Sequence, residues 1–103
     1  NAALMAFTKN LGGESVDHQV RVIGVNPGQI ETDRLRERLE KRAHNELGDK
    51  NRWLELVEDP PLGRLARPDE VADSVLYLAS ARASYISGTI LTVDGGRAVR
   101  HST

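Results

Sequence analysis

The sequence has 103 residues, room for one small domain. Its 39% hydrophobic and 28% charged residues are those of a soluble globular chain, and a net charge of −1 provides no global field to recruit nucleic acid or anionic membrane. The lack of cysteine excludes a disulfide framework, a thiolate metal site and a cysteine nucleophile. No apolar run is long enough to span a bilayer. No basic stretch followed by an apolar core opens the chain, so a cytoplasmic location is expected. The first residue, Asn1, is not methionine, which suggests a piece of a longer polypeptide.

From residue 1 to 15, Ala3, Leu4, Phe7 and Leu11 recur at helical spacing, with Met5 and Ala6 widening the face, and predict a heavily buried helix. Gly12 and Gly13 weaken its last turn, each costing about 1 kcal/mol in a helix interior. Residues 19–25, β-branched and apolar, read as a buried strand stopped by Asn26-Pro27-Gly28. Helical periodicity returns from Thr32 to about Leu47, with Thr32 as cap and Leu35, Leu39, Ala43 and Leu47 four apart. Gly48-Asp49 interrupts it. Trp53, Leu54, Leu56 and Val57 then predict a short second piece before Pro60-Pro61.

Pro68 suits the first turn of a further helix, with Asp69 and Glu70 near its positive end. Val71, Val75, Leu78 and Ala79 form its inner stripe, broadened by Ala72, Leu76 and Tyr77. A small-residue stretch from Ser80 to Gly88 leads to a last strand, residues 89–93, ended by Asp94-Gly95-Gly96. Two apolar strands bracketing helices predict a right-handed crossover between parallel strands. Asp94-Gly95 is also compatible with a hairpin turn into residues 97–99. Parallel strands need cover on both faces, so these two read as one edge of a larger sheet.

The segment Asn26-Pro27-Gly28-Gln29-Ile30-Glu31-Thr32 follows the carboxyl end of a strand, where open α/β sheets bind ligands. Freed backbone amides and the Thr32 hydroxyl at a helix start suit a carboxamide or phosphate. An ordinary strand-to-helix turn with a threonine cap has the same residues. The charged stretch 34–52 also has two readings. Arg34, Arg36, Arg38, Lys41 and Arg42 suit an acidic substrate, or they belong to a solvated face on which Glu37 and Lys41 pair at i,i+4. Trp53 is expected to pack rather than stack on a ligand. His18, His44 and His101 lack acidic or thiol partners at ligand spacing, so no metal site is expected.

Several blocks in order resemble the short-chain dehydrogenase/reductase family. They are Ala2-Ala3-Leu4…Phe7-Thr8-Lys9, Arg21-Val22…Asn26-Pro27-Gly28…Thr32, Pro61-Leu62-Gly63-Arg64…Arg67-Pro68-Asp69-Glu70-Val71-Ala72, Leu78-Ala79-Ser80, Ser84-Tyr85-Ile86-Ser87-Gly88 and Val93-Asp94-Gly95-Gly96. Together they cover nearly the whole chain. The resemblance implies an α/β fold, the C-terminal part of a Rossmann-type doubly wound parallel sheet, contributing its last two strands with their helices. All 103 residues would then be the C-terminal segment of a single NAD(P)-binding domain, with a substrate lid at about 32–60. It further implies NAD or NADP as cofactor. Pro27 and Gly28 would lie against the nicotinamide, the Ile30 main chain would meet the carboxamide, and Thr32 the carboxamide or pyrophosphate.

The family's glycine-rich phosphate loop, ribose selector, catalytic serine and catalytic tyrosine are not in this chain. Its catalytic lysine usually directly precedes Ala-Ala-Leu, and Asn1 stands there instead. Lys9, two helical turns on, is no substitute. The implied activity of the parent is hydride transfer between NAD(P) and a small-molecule alcohol or carbonyl substrate, the 103-residue chain alone being inactive. The alternative, motivated by Asn1, is a catalytically impaired relative with a binding or assembly role. Neither nucleic acid nor membrane is an expected partner. A homo-oligomer, dimer or tetramer, is implied, with the first helix at one interface and the last helix and strand at another.

Overall fold

The computed structural model describes residues 2–100. Its main elements are α1 (Ala2–Ser15), β1 (Gly24–Pro27), α2 (Asp33–Leu47), α3 (Pro68–Ala79) and β2 (Ile90–Val93). Shorter 3₁₀ segments include Lys50–Leu56, Pro61–Gly63, Ala81–Ala83 and Arg97–Val99. No described helix is long and apolar enough to cross a membrane. The described residues divide into two compact units, 2–27 with 71–93 and 28–70 with 94–100.

In the first unit, β1 and β2 pair in parallel, Gly24 opposite Ile90 and Pro27 opposite Val93. The expected parallel pair is thus present, but β1 is shifted against the expected strand 19–25. A ladder forms only where a partner runs alongside, and the partner begins with Thr89, whose carbonyl accepts from Gly24 N at 3.0 Å. Before it, Val22 is bound differently: its N–H donates to the Ser87 hydroxyl at 3.2 Å, and its carbonyl accepts from Gly88 N at 2.8 Å. Pro27, lacking an N–H, occupies the last ladder position.

The burial of α1 differs from its reading. Thr8 and Gly12 are its buried residues, whereas Leu4 and Phe7 are 59% and 61% exposed. Small residues face inward because the helix backbone is drawn against the chain before β2. Ser87 Oγ donates to Gly12 O at 2.7 Å, and a Cβ on Gly12 would overlap the Gly88 backbone. The buried Thr8 hydroxyl donates back to Leu4 O at 2.8 Å, satisfying itself within the helix. The large apolar residues are left pointing outward, without cover among the described residues.

Elsewhere in this unit, Arg21 gathers carbonyls from the end of α3 and from the segment ahead of β2. Its Nη1 donates to Leu78 O at 2.8 Å and Ile86 O at 3.4 Å, and Nη2 to Ser80 O at 3.3 Å. A fixed cation here complements the negative end of the helix. Of the proposed α3 stripe, Leu78 is buried while Val75 remains 47% exposed.

The second unit holds its own hydrophobic core. Leu39 and Val57 are buried with Leu65, and Leu35, Trp53, Leu54 and Leu56 pack around them. The apolar stripe of α2 meets the 3₁₀ segment Lys50–Leu56 after Gly48 turns the chain with φ 74°. Leu39 and Ala43 carry the buried face, as their four-residue spacing predicts. Downstream, Asp94 does not open a hairpin. Its carboxylate accepts from Gly96 N and Ala98 N, both at 2.8 Å, and residues 97–99 curl into a 3₁₀ turn. Those amides hold the Asp94 carboxyl below the usual carboxylate range.

Candidate functional site

Of the four candidate cofactor residues, Pro27 ends β1 in the first unit, and Gly28, Ile30 and Thr32 belong to the second. Pro27 is exposed at the strand end and Gly28 half-buried. In the second unit, Ile30 forms an isolated parallel bridge with Ala66. Its neighbours make the two bonds: Ala66 N donates to Gln29 O at 3.0 Å, and Glu31 N to Ala66 O at 2.7 Å. In a parallel bridge of this kind, the Ile30 amide and carbonyl point to the opposite side. The Ile30 carbonyl accepts from Thr32 N at 2.9 Å, and the Ile30 N–H has no acceptor among the described residues. Ile30 is half-buried as a residue, and a backbone donor without a protein partner is open to water or to a ligand oxygen.

Thr32 stands directly before α2 in extended conformation, at φ −94° and ψ 157°. Its Oγ1 accepts from Leu35 N at 3.2 Å, which is the threonine cap read from the sequence. A hydroxyl oxygen that accepts still has its proton to donate, here outward at the positive end of a 15-residue helix. Cap and anion contact are therefore compatible. The residues present fit the amide end of a nicotinamide: the Ile30 N–H suits a carboxamide oxygen, and the Thr32 hydroxyl a carboxamide or phosphate oxygen.

The charged face of α2 is organised differently from the expected Glu37–Lys41 pair. Arg36 Nε binds Glu40 Oε1 at 2.9 Å, and Arg42 Nη2 lies 3.2 Å from Glu46 Oε2. Arg36 also reaches Glu31 at 3.5 Å, and its guanidinium lies 5.0 Å from the Trp53 ring centroid. Trp53 thus packs, as read, with one face taken by a cation. The site residue at the start, Asn1, lies outside the described residues, as does His101. Among the described residues, no group of three or more His, Asp or Glu is placed to hold a metal ion.

Behind the bridge lies a contact that sequence reading assigned only to helix-end charge. Glu70 is gripped by Arg64, Nη1 to Oε1 at 2.7 Å and Nη2 to Oε2 at 3.0 Å, while Arg67 N donates to Oε1 at 2.8 Å. The bidentate Arg64 bond and the Arg67 amide bring the Glu70 carboxyl down to about 2. Arg67-x-x-Glu70 is the glutamate half of a capping box, and that spacing was the available signal. This fixes residues 64–70 beside Ala66, the partner of Ile30.

A family model described as enoyl-(acyl carrier protein) reductase matches residues 1–98. A 3-oxoacyl-[acyl-carrier-protein] reductase of Chlamydia trachomatis is 41% identical over 97 residues, 94% of this chain and 35% of that protein. Galactitol 2-dehydrogenase (L-tagatose-forming) of Cereibacter sphaeroides is 38% identical over 97 residues, again 94% and 35%. Among solved structures, L-sorbose reductase of Gluconobacter frateurii, complexed with NADPH and L-sorbose, superposes with a TM-score of 0.79. It is 36% identical, and the match covers 91% of this chain and 36% of that one. A short-chain dehydrogenase family protein of Francisella tularensis superposes at 0.78 with 31% identity, covering 95% and 41%. The chain spans 16% of one curated relative and 35% of the two named above, so it corresponds to a minor part of each.

Proposed function

The chain belongs to the short-chain dehydrogenase/reductase family, and on that premise we propose that it forms the nicotinamide-facing part of an NAD(P)-dependent oxidoreductase. The reaction is interconversion of an alcohol and a carbonyl; the bound cofactor supplies the hydride exchange. The observation that carries this reading is the unpartnered Ile30 N–H, turned away from Ala66 and close in sequence to the Thr32 cap. Ile30 donates to the carboxamide and so orients the ring. Thr32 donates to the carboxamide or a pyrophosphate oxygen. Pro27 and Gly28 offer a flat, side-chain-poor surface to the ring face. Residues 32–60 are the substrate lid. NADPH in the Gluconobacter frateurii structure supports the cofactor class.

No residue of this chain moves the substrate proton, so the 103 residues alone are inactive. The experiment is NADPH and NADH titration of the full-length protein with Gly28→Val, whose branched side chain intrudes on the ring face. The expected result is affinity weakened by tenfold or more, about 1.4 kcal/mol, in a variant with unchanged circular dichroism. Unchanged affinity in that folded variant reduces Pro27-Gly28 to a structural turn. Asn1 favours a second reading, a relative that binds NAD(P) but turns over poorly. Tight NADPH binding without carbonyl reduction, restored by Asn1→Lys, selects it.

A further inference from the structure

Asp59, Leu62 and Gly63 have left-handed backbone, at φ 44°, 57° and 70°, around Pro60 and Pro61. Glycine adopts this region freely and aspartate is tolerated there, but Leu62 adopts it under strain. Leu62 is 81% exposed, so burial of its own side chain does not compensate. Strained residues persist where the surroundings over-determine them. Here the surroundings are the segment after β2. The 3₁₀ turn that Asp94 caps carries Arg97 and Arg100 to two successive residues of the corner. Arg97 Nη1 donates to Glu58 O at 2.8 Å, and Arg100 Nη2 binds Asp59 Oδ1 at 2.8 Å. Gly95 completes the fit, since a Cβ on it would come 2.7 Å from Pro61 Cβ.

We propose that residues 94–100 are a clamp that holds the corner at 58–63 in its strained backbone, with Arg97 and Arg100 as its two grips. Exposed ion pairs contribute little stability by themselves. Their effect here is positional, because one grip takes the carbonyl just before Asp59 and the other takes the Asp59 side chain. The clamp stands on these contacts alone. Its consequence, that the distal end of the lid pivots on a corner set by residues 94–100, rests on the lid reading above.

The clamp is tested by hydrogen exchange on the 103-residue chain carrying Arg97→Ala with Arg100→Ala. The corner is closed by Gly63 N to Pro60 O at 3.0 Å and Arg64 N to Pro61 O at 3.3 Å. Those two amides should exchange roughly tenfold faster in the double variant, while Gly24 N and Gly88 N keep their rates. Arg97→Lys with Arg100→Lys, which retains charge and donor, should recover part of the protection. Unchanged exchange at Gly63 and Arg64 in a folded double variant overturns the clamp. So does an equal rise at Gly24 and Gly88, which would signal global destabilisation. Neither readout involves cofactor or substrate, so failure of the oxidoreductase reading leaves the clamp standing, and the reverse.

Discussion

Gly12 in α1 and Gly88 ahead of β2 meet backbone to backbone, and a methyl group on Gly12 would strike both Gly88 and the Val22 carbonyl, the latter at 2.7 Å. Gly13, its neighbour, has open space where a Cβ would stand. Gly12→Ala should therefore destabilise by about 1–3 kcal/mol or more through forced separation of helix and chain. Gly13→Ala should stabilise by about 0.5–1 kcal/mol through helix propensity. Urea titration of the two variants reads both signs. Equal responses would mean that the helix does not pack as described.

The Arg64–Glu70 contact predicts an acid-side dependence. The Glu70 carboxyl lies lower when folded, at about 2, than its ordinary 4.5. A depressed carboxyl stabilises the fold above its unfolded value, and this contribution disappears as pH falls from about 4.5 through about 2. The chain should thus exceed Glu70→Gln in stability near neutrality, and the difference should vanish toward pH 2. Thermal melts across that range check it. A difference independent of pH would assign the effect to packing.

Leu39, 7% exposed, joins α2 to Val57 and Leu65. Leu39→Ala should cost about 2–5 kcal/mol and loosen the Trp53 side of this unit. Trp53 is the single tryptophan of the sequence, so its fluorescence reports this environment directly. A native Trp53 spectrum combined with a full loss of stability would contradict the packing.

The outward face of α1 predicts association. Leu4, Phe7 and Leu11, at helical spacing on α1, are 59%, 61% and 41% exposed. Contiguous apolar surface of this kind drives self-association. Light scattering should give a mass above 11.3 kDa, and Leu4→Glu with Phe7→Glu should lower it. A cooperatively unfolding monomer at 11.3 kDa would show that the face needs no partner.

Residue type and spacing alone determined where most elements lie. Leu39 and Ala43 declared the buried face of α2, Thr32 its cap, Pro68 the start of α3, and Asp94-Gly95-Gly96 the end of β2. These are local effects, set by backbone sterics and periodicity within a turn or two. The blocks from Asn26 to Thr32 also marked the candidate cofactor turn. Tertiary structure decided what depends on partners distant in sequence. It decided that α1 turns Thr8 and Gly12 inward rather than Leu4 and Phe7, because only small residues admit the Gly88 backbone. It set the start of β1 at Gly24, because a ladder needs Thr89 and Ile90 beside it. It left the Ile30 amide open, because the Ala66 bridge engages the Gln29 carbonyl and the Glu31 N–H while the Ile30 N–H points away. Apolar pattern says that a face wants cover, but the identity of the cover follows from contacts between segments that the pattern does not encode.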